Sequence, residues 1–452
     1  MISLPESFLS RMKNLLNDEY DDFILSYNES PVKGYRVNTA KISLGDFSRI
    51  NTFGNNDIPY ITNGFYLDYN KAGNHPYHHA GMIYIQEPAA MCPAECIDID
   101  PSWHILDLCA APGGKSTQLK NKSGDNSILL ANEIIPSRCK ILTGNIERLG
   151  LKNTITTCLD TNKLAFTMKN KFDLIMCDAP CSGEGMFRKD ETAVNEWSEN
   201  NVLLCAERQK EILENAAIIL KNGGYIIYAT CTFSLEENEM VIDSFLKEHP
   251  EFELIQVKDE ILRHTSDGIF FDGCSTENIS RCRRFYPHKS KGEGQFMAVL
   301  HNMLTCDLSA DIVRQDNICT DKVLLNFLDE TLTDFDQHDI KIRNGNPCIF
   351  KGNFDVPLNN IFSYGINIGE IKKNYIQPHH QFFTAMGKKF KRKINLNAED
   401  NFLQKYLHGE EIQTDVSNGW AVVTVEGVPL GGVKVVNGTA KNHYPKGLRL
   451  KY

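Results

Sequence analysis

The chain has 452 residues, 42% hydrophobic and 23% charged, with a formal net charge of −10 from 58 acidic and 48 basic side chains. That length holds two to four domains, and the composition excludes a disordered or fibrous chain. No apolar run approaches a membrane span, and the 14 cysteines are scattered rather than set out as a disulfide framework, which fits a reducing, cytoplasmic setting.

The start, MISLPESFLSR, carries Glu6 and lacks the basic-then-apolar order of a signal peptide. Residues 1–95 read as a small α+β segment with helical spacing of Phe8, Met12 and Leu15. A strand follows at 103–108, and GGKSTQLK opens a helix. Another strand spans 127–132, and Pro136 suits the first turn of a helix with apolar Ile141, Leu142, Ile146 and Leu149, stopped by Gly150. Strands are predicted at 153–159 and 172–177. A long helix then runs to Leu220 and ends at Gly223 and Gly224. The run 225–229 is a strand, and Ser234 with Glu237 has the spacing of a capping box for a helix through Glu248. Strands at 252–257 and 295–300 close the series. Strands alternating with helices mean a doubly wound, mostly parallel α/β sheet. Past residue 302 the alternation fades, and GWAVVTVEGVPLGGVKVVNG reads as a small β-barrel.

Basic charge is concentrated locally. The run 371–393 has no acid but carries Lys372, Lys373, Lys388, Lys389, Lys391, Arg392 and Lys393, interleaved with Tyr375, Phe382, Phe383 and Phe390. The run 427–452 is also free of acids, and RCRRFYPHKSK (281–291) is a third basic stretch. One such run is ordinarily a solvated face; three in an acidic chain favour an RNA-facing surface. His379 and His380 read as RNA-facing or solvated.

The loop CAAPGGKS, between a strand and a helix, offers backbone N–H groups to an anion or carboxylate. It is a poor phosphate loop, because the first Gly position falls on Cys109, and a poor dinucleotide fingerprint, having only the adjacent Gly113 and Gly114. Glu133 ends the second strand, where a carboxylate suits a ribose diol, and Asp160 ends the third, within reach of an adenine amino group. Together they suggest an adenosyl cofactor without a phosphate tail, S-adenosylmethionine. Two further strand ends carry cysteines, Cys181 in FDLIMCDAPCSGEG and Cys231 in YIIYATCTFS. Two thiols delivered to one crevice suggest nucleophilic chemistry. Free cysteine is otherwise often core, which suits Cys92, Cys96, Cys139, Cys158, Cys177, Cys205, Cys274, Cys282, Cys306, Cys319 and Cys348. Cys177 and Cys181 lack the second close pair a zinc site needs, so no metal is expected.

LDLCAAPGGKS, DAPCSGEGMFRKD, YATCTFSLEENE and RFYPHKSKGEGQFMAVL resemble the motifs of the Nol1/Nop2/Sun RNA 5-methylcytosine methyltransferases. YRVN (35–38) and YIQEPAAM (84–91) extend the resemblance upstream, and PLGGVKVVNGTAKNHYPKGLR resembles the bacterial RsmF branch, which methylates a cytidine near the decoding site of small-subunit ribosomal RNA. The resemblance implies a Rossmann-like S-adenosylmethionine-dependent core at 96–301, a family-specific RNA-binding domain at 1–95, a linker and accessory region at 302–385 and a PUA-like RNA-binding domain at 386–452. It implies cofactor contacts from Cys109, Ala110, Ala111, Pro112, Gly113, Gly114, Lys115, Glu133, Arg138, Asp160 and Asp178. Ribosomal RNA is the implied partner, and a monomer is expected.

Cytosine C5 is a poor nucleophile, and a thiolate adding to C6 makes it enamine-like and able to accept a methyl group. Chemistry alone leaves the two thiols unassigned, because Pro-Cys is the attacking motif in DNA cytosine methyltransferases. The resemblance implies that Cys231 attacks and Cys181 assists release, with Asp178 on the cytosine edge or the methionine moiety and Lys115 orienting the network. The target base must be unstacked. Rival readings are an amino-group methyltransferase, which needs an Asn/Asp-Pro-Pro-aromatic turn where this chain has DAPC, and a non-catalytic RNA-binding ribosome-assembly factor.

Overall fold

The computed structural model describes residues 4–305, 318–343, 345–354, 356 and 359–451. An N-terminal unit carries strands β1 (Gly34–Val37), β2 (Gly64–Tyr66) and β3 (Ile83–Gln86), antiparallel in the order β2-β1-β3. The central unit follows with β4 (His104–Asp107), β5 (Ile128–Asn132), β6 (Thr154–Thr157), β7 (Phe172–Asp178), β8 (Leu220–Thr230), β9 (Phe252–Ile255), β10 (Ser266–Asp267), β11 (Arg283–Phe285) and β12 (Gln295–Asn302). These form most of a 10-stranded sheet ordered β10-β11-β12-β8-β7-β4-β5-β6, with β9 pairing β12. The five middle strands β6-β5-β4-β7-β8 are parallel, and the flanks are antiparallel. Two apolar clusters cover its faces, one around Leu130, Ile175 and Leu213, the other around Leu129, Met176 and Leu142.

Local signals set many of the element ends. The helix Pro136–Leu149 has Pro in its first turn and Gly150 in the left-handed conformation after it, where glycine carries no Cβ penalty. The helix Glu6–Leu16 buries Phe8, Met12 and Leu16 rather than Leu15, and its buried face packs with Phe187, Trp197, Phe233 and Tyr286 over the loops that carry the two cysteines.

Several expectations are corrected. The long helix spans Glu199–Ile219, after a separate Glu191–Glu196, and the two glycines fall inside β8, where the register shifts between Phe172 and Leu174 of its neighbour. The helix Glu239–Glu248 has no side-chain cap, because Ser234 and Glu237 are bonded to the cysteine turns instead. Residues assigned to a linker supply the strand Ile361–Tyr364, which pairs with β6 and completes the central sheet. The helix His380–Met386 runs across the expected boundary at 386. Beyond it the small β-barrel domain expected from the sequence is present, as a five-stranded sheet curled into a half-barrel.

The basic stretches are also more internal than expected. Phe382, Phe383 and Phe390 are core residues. Lys389 pairs with Asp334, Arg392 reaches Glu330 at 3.8 Å, and Lys393 donates to Lys388 O at 2.7 Å. Arg283 and Arg284 are buried against Asp267 and Glu239. The His379 ring accepts from Gln381 N at 3.3 Å, and burial lowers the His380 pKa to about 3, so neither is an RNA-facing cation. Cys92, Cys96, Cys139, Cys177, Cys205, Cys282, Cys319 and Cys348 are buried, Cys158 and Cys274 partly so, and Cys306 lies outside the described residues. No helix among the described residues is long and apolar enough to cross a membrane.

Candidate active site

Chain order in the sheet reverses at β4, with β5 and β6 on one side and β7 and β8 on the other. Open α/β sheets bind ligands outside the carboxyl ends of the strands at such a point. A cavity of about 650 Å³ lies there, lined by Cys109 and Ala111 after β4, Glu133 after β5, Asp160 after β6, Asp178 and Cys181 at and after β7, and Cys231 after β8. That volume falls within the roughly 300–1,000 Å³ common for small-molecule sites.

The loop after β4 is held from behind. Ala110 N donates to Asn132 O at 2.8 Å, and Pro112 O accepts from Asn145 Nδ2 at 2.9 Å. Gly113 sits at φ 110° before the helix Gly114–Ser123, a conformation that favours glycine. From the N-terminal unit, Arg36 donates to Gly114 O at 2.7 Å, Thr117 Oγ1 at 3.2 Å and Gln86 Oε1 at 3.1 Å. The YRVN and YIQE segments are therefore buttresses of this loop. Ala110, Pro112, Gly113 and Gly114 shape it, while Cys109 and Ala111 face the cavity.

Glu133, only 3% exposed, accepts from Ile135 N at 3.0 Å and lies 3.5 Å from Arg138, which also donates to Ala111 O at 2.8 Å. Asp160 accepts from Asn162 N at 2.9 Å through one carboxylate oxygen. Lys115 does not line the cavity but reaches it through Asp178, at 2.8 Å. Burial works against the Lys115 ammonium, yet the Asp178 carboxylate outweighs it and holds its pKa above the ordinary value.

The two thiols meet. Cys181 Sγ and Cys231 Sγ are 3.3 Å apart, and Cys231 N points at Cys181 Sγ at 3.4 Å. The contact with Cys231, then burial, raises the Cys181 pKa and keeps its proton on sulfur. The turns are packed backbone to backbone: a methyl group on Gly185 would lie 2.7 Å from Gly294 O and 2.8 Å from Cys231 O.

Sequence reasoning missed a layer of buried carboxyls. Asp107, wholly buried, takes Ser116 Oγ at 2.5 Å on one oxygen, and its other oxygen has no hydrogen-bond partner among the described residues. Burial, opposed by that hydroxyl and reinforced by Asp178, raises its pKa to about 7. Glu184 collects Thr232 Oγ1, Phe233 N, Ser234 Oγ and Trp197 Nε1. Glu237 binds Ser182 N and Gln209 Nε2. Arg208 and Glu211 also line the cavity, from the helix Glu199–Ile219. The SGEG and LEENE segments contain Glu184 and Glu237, but nothing in their spacing says what they hold.

Residues 94–301 match the model of the 16S rRNA methyltransferases RsmB/F, residues 4–88 the N-terminal domain of the 16S rRNA methyltransferase RsmF, and residues 393–450 the methyltransferase RsmF PUA domain. Across 483 aligned residues the chain is 30% identical to the ribosomal RNA small subunit methyltransferase F of Vibrio vulnificus (strain YJ016), covering 99% of this chain and 98% of that one. The chain belongs to the RsmF family.

Among solved structures, a methyltransferase homolog protein from Pyrococcus horikoshii is 27% identical, with a TM-score of 0.58 over 67% of this chain and 96% of that one. NSun6 from Pyrococcus horikoshii, solved with SFG, shares the fold at 21% identity and a TM-score of 0.57, over 67% and 100% of the two chains. Membership of this methyltransferase family implies use of S-adenosylmethionine, and the cavity suits it. Glu133 is a buried acceptor held in place on the cavity wall, and among the described residues Asp160 keeps one carboxylate oxygen free of backbone bonds.

Proposed function

We propose that this RsmF-family chain methylates C5 of a cytidine in small-subunit (16S) ribosomal RNA near the decoding site, through a covalent Cys231–C6 adduct. The observation that carries the reading is the thiol pair, 3.3 Å apart, lining the same cavity as Glu133, Asp160 and Asp178. S-adenosylmethionine, when bound, supplies an electrophilic methyl group. Glu133 takes the ribose hydroxyls, Asp160 the adenine edge, and Cys109, Ala111 and Arg138 complete the wall.

Cys231, as thiolate, donates its electron pair to C6, and the C5=C6 π electrons become available at C5. Asp178, anchored by Lys115, hydrogen-bonds the cytosine edge and favours the N3-protonated adduct. After transfer, a solvent base takes the C5 proton, the C5–H electron pair re-forms the C5=C6 bond, and the C6–S bond breaks with its pair leaving on the Cys231 sulfur. Cys181 stands beside that leaving sulfur with its thiol hydrogen and stabilises the released thiolate. Residues 1–95 and 386–452 flank the catalytic unit and hold unstacked RNA. The protein works as a monomer in the cytoplasm, where its substrate is.

RNA carrying 5-fluorocytosine tests the chemistry. Wild type traps a protein–RNA adduct and Cys231→Ala gives none, whereas Cys181→Ala accumulates methylated, protein-linked RNA on unmodified substrate. The reverse pattern moves the nucleophile to Cys181. No adduct and no cofactor binding leave an RNA-binding assembly factor, and methylation without an adduct points to an amino-group methyltransferase.

A further inference from the structure

Beneath the thiols runs a buried chain of four oxygen-bearing side chains. Glu237 Oε1 touches Ser182 Oγ, Ser182 Oγ lies 3.0 Å from Thr232 Oγ1, and Thr232 Oγ1 lies 2.9 Å from Glu184 Oε2. Ser182 directly follows Cys181 and Thr232 directly follows Cys231, so the chain links the two cysteine turns. All four residues are buried.

Three oxygen–oxygen contacts need three protons, and the two hydroxyls supply only two. One carboxyl must hold the third. Glu184 meets donors on both oxygens, with Trp197 Nε1 and Ser234 Oγ at 3.0 Å and Phe233 N and Thr232 Oγ1 at 2.9 Å. Glu237 Oε2 is likewise taken, by Ser182 N and Gln209 Nε2 at 2.9 Å each. The orientation of Gln209 is set by Pro180 O, which can only accept and takes the same Nε2 at 3.0 Å. Among the described residues, Glu237 Oε1 meets Ser182 Oγ alone. A proton there gives each contact one donor and one acceptor: Glu237 to Ser182, Ser182 to Thr232, Thr232 to Glu184.

We propose that Glu237 carries a proton at neutral pH and acts as a positioning residue, holding the Cys181 and Cys231 turns in register through Ser182 and Thr232. The step it serves rests on the cytosine-C5 reading above; the proton assignment does not. The surroundings agree. Burial pushes the Glu237 carboxyl up to about 7, opposed by bonds from Ser182 and Gln209 and reinforced by the charge of Glu184. The other titratable groups facing it are Cys181, Cys205 and Tyr228, and no ion pair to Glu237 occurs among the described residues. Loss of the proton puts negative charge beside Cys181 and removes the donor between Ser182 and Thr232, so turnover falls on the alkaline side.

Glu237→Gln is the neutral mimic, with an N–H for Ser182 Oγ and a carbonyl for Ser182 N and Gln209. Infrared difference spectra of wild type against this variant, taken through a pH titration, read the proton directly. A protonated-carboxyl C=O band present at neutral and mildly acidic pH, and lost on the alkaline side, is the expected result. An ionised carboxylate throughout overturns the proposal. In single-turnover methylation of cytidine-containing RNA, Glu237→Gln should stay near the wild-type rate and lose the alkaline fall. Glu237→Ala should drop by about tenfold or more, because it leaves Ser182 and Gln209 without their buried partner. Ser182→Ala, which removes the middle hydroxyl, gives the same loss and serves if the alanine at 237 does not fold. A Gln variant as slow as the Ala variant overturns the positioning role. The expected band without any 5-fluorocytosine adduct sinks the C5 reading and the role, while upholding the proton assignment.

Discussion

Arg188 is the strongest test of how the cysteine turns are supported. Its guanidinium is buried, with Nε 2.7 Å and Nη2 2.9 Å from the two oxygens of Glu293. It also donates to Ser26 O at 2.7 Å and Gly292 O at 3.2 Å, so one side chain joins the N-terminal helices, the loop after Cys181 and the segment leading into β12. Arg188→Met leaves Glu293 as a buried carboxylate whose remaining backbone donor is Val32 N at 3.2 Å. Breaking a buried pair from one side costs about 3–5 kcal/mol; Gly292 O loses its donor as well, whereas Ser26 O keeps Glu29 N at 3.2 Å. Adding Glu293→Gln removes the unpaired charge and restores most of the stability. Urea unfolding followed by Trp197, which packs against Phe8 and Phe187 in the same cluster, reads the region directly once Trp103 and Trp420 are replaced by Phe. A single-variant loss below about 1 kcal/mol, the size seen for exposed pairs, or a double variant no better than the single, would refute the argument.

Three further outcomes are expected. Glu133→Ala should weaken S-adenosylmethionine binding by about 1–3 kcal/mol, the penalty of a missing charge-assisted hydrogen bond, and calorimetry showing wild-type affinity would remove Glu133 from the site. Replacing Lys388, Lys389, Lys391, Arg392 and Lys393 by Ser should weaken RNA binding and flatten its log–log salt slope by about 0.7 for each phosphate no longer neutralised; an unchanged slope would mean these side chains serve only their bonds to Asp334, Glu330 and neighbouring carbonyls. Asp107 has a folded pKa of about 7 against an ordinary 3.8, so the folded state binds more protons between those values. Its contribution is therefore fully present below the ordinary value and lost as pH rises towards 7. Asp107→Asn should flatten that decline by up to about 1.4 kcal/mol per pH unit, as read from urea midpoints at successive pH, and an unaltered pH dependence would count against a protonated Asp107.

Much of the fold was legible because its signals are local. Pro136 and Gly150 bracket a helix through backbone geometry that involves no distant residue, and the alternation of strands and helices puts the carboxyl ends of β4 to β8 on one edge. That alternation alone brings Cys109, Glu133, Asp160, Asp178, Cys181 and Cys231 to one cavity. The antiparallel strand Ile361–Tyr364 escaped notice because it joins β6 across some two hundred residues, and no local period announces such a partner.

The buried carboxyls show where local reasoning stops. Ser234 and Glu237 have the spacing of a capping box, yet Glu237 reaches a turn 55 residues away and Ser234 one 50 residues away. A cap at an exposed helix end is worth about 1 kcal/mol. Leaving Ser182 N buried without its acceptor would cost about 1–3 kcal/mol, and Gln209 Nε2 and Ser182 Oγ would each lose a buried bond as well, so tertiary burial wins. Phe382, Phe383 and Phe390 follow the same logic: interleaved with lysines they resemble a stacking surface, but the half-barrel and the helix Lys322–Thr331 close over them and apolar burial decides their side. The sequence by itself determined the order of elements and which residues stand at the strand ends. Only the tertiary structure decided which carboxyls are desolvated and which partners they take, because those energies depend on groups that meet only when the chain is packed.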